Sequence, residues 1–157
     1  MKTEMLSFYT ANGPTSAHTA FPDQPNGKGV IVVQEWWGLN DHIKDIANRY
    51  AAEGFVCVSP DLYRGKVATD STQASQMMHD LSNDDGLDTI KNCIDAASLA
   101  YDLSHFGITG YCMGGSFALL ARCREKIPFL RSQRRHFLED FRKSFPLLFG
   151  GRVVVSG

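Results

Sequence analysis

With 157 residues, 43% of them apolar, the chain has material for one hydrophobic core but not for two. Its 16 Lys and Arg against 17 Asp and Glu leave a net charge of −1, which gives no bulk attraction for nucleic acid or an anionic membrane. No apolar run approaches the roughly 20 residues of a membrane span, and the start MKTEMLSFYT lacks a secretion-signal pattern, so a cytoplasmic protein without a membrane or nucleic-acid partner is expected.

The first β-prone pieces, SFYT and ANGPTSAHTAF, are split by Asn12-Gly13-Pro14 and predict a two-strand hairpin. After a loop containing Pro22, Pro25 and Gly27, the β-branched run Val30 to Val33 predicts a strand buried on both faces, as in a parallel sheet. In NDHIKDIANRYAAEG the residues Ile43, Ile46, Ala47, Tyr50 and Ala51 share one helical face, with Asn40 or Asp41 as N-cap and Gly54 as the stop. FVCVSPDLY predicts a second buried strand, and residues 65 to 80 a loop with a short helix. DGLDTIKNCIDAASLAY places Leu87, Ile90, Ile94, Ala97 and Tyr101 on one face of another helix, and HFGITGY predicts a third strand leading to Cys112. This alternation implies right-handed crossovers and a doubly wound, mainly parallel sheet with helices on both faces. Chemistry in such sheets gathers at the carboxyl ends of the strands, here Glu35, Asp61 and Cys112.

Gly110-Tyr111-Cys112-Met113-Gly114-Gly115 reads as a cysteine version of the nucleophile elbow, set between a strand and the helical pattern FALLAR. Glycines two residues either side of the nucleophile let neighbouring backbones pass without a Cβ clash, and the turn pushes the sulfur outward. The N-terminus of the following helix favours a thiolate there. Without that strand and helix the same glycine-rich turn would read as a simple buried cysteine. At the end of the first core strand, Gln34-Glu35-Trp36-Trp37-Gly38 brings a carboxylate to the same crevice. The N–H of Trp36 is placed to act with that of Met113 as an oxyanion hole. Alone, Glu35 would be a solvated strand-end charge. Trp36 and Trp37 are candidates for lining an apolar pocket, with plain packing as the alternative, and Arg64 for pairing with a substrate carboxylate, with a solvated surface arginine as the commoner reading. Asp61 reads mainly as a turn former. His18, His42, His79 and His105 read as structural or solvated. The four cysteines show neither a CxxC pair nor metal-ligand spacing, so free thiols and no metal are expected.

The blocks QEWWG, SPDLYRG and GYCMGG, within VIVVQEWWGLNDHIKDIANRYAAEGFVCVSPDLYRGK and the later GITGYCMGGSFAL, resemble the amino-terminal half of dienelactone hydrolases. These are carboxymethylenebutenolidases of the α/β-hydrolase superfamily, and the resemblance covers roughly residues 5 to 121. It implies Cys112 as nucleophile, Glu35 as the carboxylate that contacts it and helps control its ionisation, and an Asp and a His completing a triad. It further implies hydrolysis of a small lactone or ester through a thioester acyl-enzyme, with no cofactor.

In that family the acid and the histidine follow the nucleophile after at least one more strand, yet 45 residues follow Cys112. Nine of the 16 Lys and Arg lie from Arg122 onward, against Glu125, Glu139 and Asp140, so the segment carries about +6 and the rest about −7. His136 and Asp140 sit in a helix-like pattern that fits neither the order nor the setting of a triad. The chain is therefore expected to hold the amino-terminal part of a hydrolase-like domain over 1–121, truncated on its C-terminal side. Residues 122–157 would be an atypical basic tail from a shifted frame, an alternative exon or an incomplete gene model. The alternative reading is an inactive relative that acts by binding, with the tail as a docking segment.

Overall fold

The turn chemistry at Asn12-Gly13 makes a hairpin of β1 (Lys2–Thr10) and β2 (Gly13–Phe21), antiparallel with Lys2 opposite Phe21 and Thr10 opposite Gly13. The Asp88 carboxylate accepts from the N–H of Ala11 at 2.8 Å and ties the turn to the body of the protein. The computed structural model describes residues 1–124 and 153–156. The buried apolar runs become β3 (Gly29–Val33), β4 (Val56–Pro60) and β5 (Phe106–Gly110), each buried along its whole length.

The sheet order is β1-β2-β4-β3-β5-β6, where β6 is Val153–Ser156. The central pairings of β3 with β4 and of β3 with β5 are parallel. The flanking pairings are antiparallel: β1 with β2, β2 with β4, and β5 with β6. The parallel sheet expected from alternating strands and helices is thus the central triplet. Antiparallel strands close both sides of it.

Strand alternation divides the core in two. Ile31, Val33, Val58 and Ile108 face one cluster, which includes Leu87, Ile90, Ile94 and Ala97 of α3 (Asn83–Tyr101) and Phe117, Ala118 and Ala121 of α4 (Met113–Arg124). Val30, Val32 and Cys57 face the other, with Ile43, Ile46, Ala47, Tyr50 and Ala51 of α1 (Asp41–Ala52). A strand buried on both faces cannot alternate polar with apolar residues, which is why GVIVV reads as a continuous run. The N-cap of α1 is Asn40, whose side-chain oxygen accepts from the N–H of Ile43 at 3.1 Å. Ser82 caps α3 in the same way through the N–H of Asp85. The polar stretch after β4 contains a loop and α2 (Ser71–Asp80), which buries only Ala74.

The boundary expected at residue 121 falls inside α4, which continues to Arg124. His136, Asp140 and most of the basic segment lie outside the described residues. Among the described residues, no helix is long and apolar enough to cross a membrane.

Candidate functional site

The site grows out of strand register. Val33 and Gly110 are partners on adjacent parallel strands, so Glu35 and Cys112, two residues further on, emerge side by side at the carboxyl edge of the sheet. After Tyr111 the chain turns at Cys112 with φ of 51°, a left-handed conformation that is strained for a residue with a Cβ. α4 begins at the next residue. Two backbone hydrogen bonds close the turn, from Gly114 N–H to the Tyr111 carbonyl at 2.8 Å and from Gly115 N–H to the Cys112 carbonyl at 3.0 Å. The flanking glycines are dictated by contact: a Cβ on Gly110 would enter the backbone of Gly114, and one on Gly114 would strike the carbonyls of Val33 and Gln34. The first turn of α4 therefore rests directly on the end of β3, and the Cys112 side chain is left exposed.

Glu35, Trp36 and Trp37 are half-buried on the loop after β3, and the two indoles meet edge to face at 5.3 Å. Neither the N–H of Trp36 nor that of Met113 has a protein acceptor among the described residues. Unpaired donors on the two loops that flank Cys112 can receive a developing oxyanion. A groove beside Trp36 is completed by Ser71, Thr72, Ser75, Gln76 and His79 of α2.

A third loop, after β4, is bound to the other two. Gln34 is fully buried and its side-chain oxygen accepts from the N–H of Leu62 at 3.1 Å. Asp61, also buried, accepts from the N–H groups of Tyr63 at 2.9 Å and Gly65 at 2.6 Å, the turn-forming role that its place after Ser-Pro suggests. Arg64 is held in a bidentate ion pair with Asp85, at 2.9 and 2.5 Å, and donates to the Thr10 hydroxyl at 3.1 Å. Burial works against the Asp85 carboxylate, but the Arg64 and Asn12 hydrogen bonds and the Arg64 charge outweigh it and hold its pKa below the ordinary range. The Tyr63 hydroxyl donates to Met113 Sδ at 3.4 Å, and burial together with the nearby Cys112 pushes its pKa up to about 12.

Strand register thus sets Glu35 and Cys112 just beyond neighbouring strand ends, with Trp36 and Met113 next to them in the chain, Trp37 on the same loop as Glu35, and the Arg64 fork occupied by Asp85. The reading of the sequence missed Tyr63, Gln34 and Asp85. A polar Gln ending a run of buried β-branched residues was the available signal for Gln34; Asp85 had none in its local sequence. Cys57 and Cys93 are buried, and burial pushes both thiols up, whereas Cys123 is exposed. His42 is exposed on α1, His105 precedes β5 at the opposite end of the strand from Cys112, and His18 is buried on β2. Among the described residues, no group of three or more His, Cys, Asp or Glu is arranged to hold a metal ion.

Residues 15–128 match the model of the dienelactone hydrolase family. Protein usf of Aquifex pyrophilus is 40% identical over 101 residues, a match covering 59% of this chain and 44% of that protein. Carboxymethylenebutenolidase 1 of Cupriavidus pinatubonensis is 25% identical over 118 residues, covering 69% of this chain and 50% of that one. The solved structure named m3DLH superposes with a TM-score of 0.69 at 24% identity, over 76% of this chain and 53% of its own, and carries the fold comparison. The chain spans about half the length of the relatives it matches.

Proposed function

The chain belongs to the dienelactone hydrolase family, and from that premise we propose that its site performs the acyl-transfer half of ester or lactone hydrolysis, with Cys112 as nucleophile. The Cys112 thiolate attacks the ester carbonyl carbon and a C–S bond forms. The N–H groups of Trp36 and Met113 stabilise the oxyanion, and its collapse breaks the C–O bond and expels the alkoxide or enolate, which takes a proton from water. Water then cleaves the thioester, regenerating the thiol and releasing the acid. Glu35 modulates the ionisation of the sulfur from the adjacent strand end. Trp37 contributes apolar surface for a small substrate, and Arg64 frames the loop through its ion pair with Asp85. No cofactor enters this scheme.

The observation that carries the reading is the elbow itself: an exposed cysteine at φ of 51° between a buried strand and a helix N-terminus, beside Glu35. A strained conformation of this kind persists where its surroundings over-determine it, and the Gly110 and Gly114 contacts do that. The test is hydrolysis of short p-nitrophenyl esters. Cys112→Ala should abolish release of nitrophenol above background, and retained release would remove Cys112 from the mechanism.

A second reading, a binding protein that does not turn substrate over, is favoured by one observation. Among the described residues no histidine hydrogen-bonds to Cys112. It predicts saturable quenching of the Trp36 and Trp37 fluorescence by a lactone or ester with no product formed.

A further inference from the structure

We propose that Tyr63 is a positioning residue of this site: its hydroxyl braces the elbow through Met113 while the Cys112 sulfur is neutral, and donates to that sulfur once it is an anion. The proposal rests on the reading of Cys112 as nucleophile and adds to it a donor that follows the charge.

Tyr63 is 8% exposed, and among the described residues the acceptor of its hydroxyl is Met113 Sδ at 3.4 Å. A thioether is a weak acceptor, and a buried O–H with no better partner is costly. Met113 directly follows Cys112, and the phenol lies within electrostatic reach of the cysteine. The ring also packs under the loop after β3, where a Cβ on Gly38 would stand 3.4 Å from Tyr63 Cδ2. Its backbone is pinned by the Asp61 carboxylate at 2.9 Å. One side chain therefore spans the loop that carries Glu35 and the elbow that carries Cys112.

A charged sulfur is a stronger acceptor than a thioether, so ionisation of Cys112 offers the hydroxyl a better partner on the residue next to Met113. The charged residues of the flanking loops are Glu35, Asp61, Arg64, Lys66 and Asp70; the Asp61 carboxylate is taken by the N–H groups of Tyr63 and Gly65, and Lys66 and Asp70 are exposed. Glu35, on the loop after β3, opposes the anion, and Arg64, beside Tyr63, is occupied by Asp85. When the sulfur becomes part of a thioester its charge is gone and the hydroxyl returns to Met113 Sδ. No covalent bond is made or broken by Tyr63.

The test compares native protein with Tyr63→Phe by the rate at which iodoacetamide labels Cys112, read by peptide mass spectrometry at pH 7 and pH 9.5. Loss of a donor to the anion should slow labelling about tenfold at pH 7. At pH 9.5, where an unassisted thiol is also ionised, the rates should match. Equal rates at both pH values, or equal slowing at both, would overturn the proposal, the second by showing that Tyr63 governs access alone. Native Cys112 reacting no faster than exposed Cys123 at pH 7 would instead overturn the nucleophile reading, and the proposal with it.

Discussion

Replacing Gly114 with alanine sets two effects of opposite sign against each other. Alanine is the better helix former and restricts the unfolded chain, which together favour the variant by about 1 kcal/mol. Against this, a Cβ at position 114 would stand 2.5 Å from the Gln34 carbonyl oxygen and 2.8 Å from the Val33 carbonyl carbon, with the Val33 oxygen closer still. These are backbone atoms at the end of a fully buried strand, so no side chain can swing away, and overpacking of this kind costs about 3 kcal/mol. The net loss is about 2 kcal/mol. With a urea dependence of about 2 kcal/mol per molar, the unfolding midpoint should fall by about 1 M. Gly115→Ala is the control, because its Cβ would lie 3.4 Å from the Gly110 carbonyl oxygen, an ordinary contact, and propensity then decides. Its midpoint should be at or slightly above that of the native protein. Urea titration followed by circular dichroism reads both variants, and a Gly114→Ala midpoint equal to that of Gly115→Ala would refute the close packing of α4 on β3.

Gln34→Leu should destabilise by about 1 kcal/mol: leaving the N–H of Leu62 buried without its acceptor costs about 2 kcal/mol, and loss of the buried Gln34 Nε2, which has no hydrogen-bond partner among the described residues, offsets about half of that; an unchanged or raised urea midpoint would contradict this. Asp85 has a folded pKa below its unfolded value, so its contribution is present above about pH 4 and lost as the pH falls through the folded value. The stability gap between native protein and Asp85→Asn should be largest at pH 7 and shrink at pH 3, and a gap constant with pH would argue against the Arg64 pairing. His18 is buried, and burial is the main cause of its lowered pKa, with the Lys44 charge acting in the same direction. Its contribution is therefore present above the unfolded value near 6.5 and lost on acidification. Going from pH 7.5 to pH 5 should destabilise the native protein more than His18→Gln in parallel urea titrations, and equal losses would remove His18 from that response.

Periodicity and turn chemistry made the hairpin, the central strands and the face of α1 legible, since the five residues grouped on the α1 face are the ones it buries. The elbow was legible because its glycines are required by contacts local to the motif and to the adjacent strand. The antiparallel pairing of β5 with β6 was not, because VVVS at residues 153–156 lies far along the chain from its partner and pairing over such a separation leaves no local pattern. Arg64 illustrates the limit for the site. Its place at a strand end left a substrate carboxylate or solvent as its surroundings, and neither reading named Asp85, 21 residues away on α3, which takes its guanidinium. Pairing of this kind depends on how α3 packs, which a local pattern does not encode.

The central claim is that Cys112 carries the acyl group. Its most direct test is to treat the protein with an activated short-chain ester, quench in acid and locate the added acyl mass by peptide mapping. The account predicts one acyl group on Cys112, with none on exposed Cys123 and none on the buried Cys57 and Cys93. Acylation shared equally with Cys123, or none at Cys112, would contradict it.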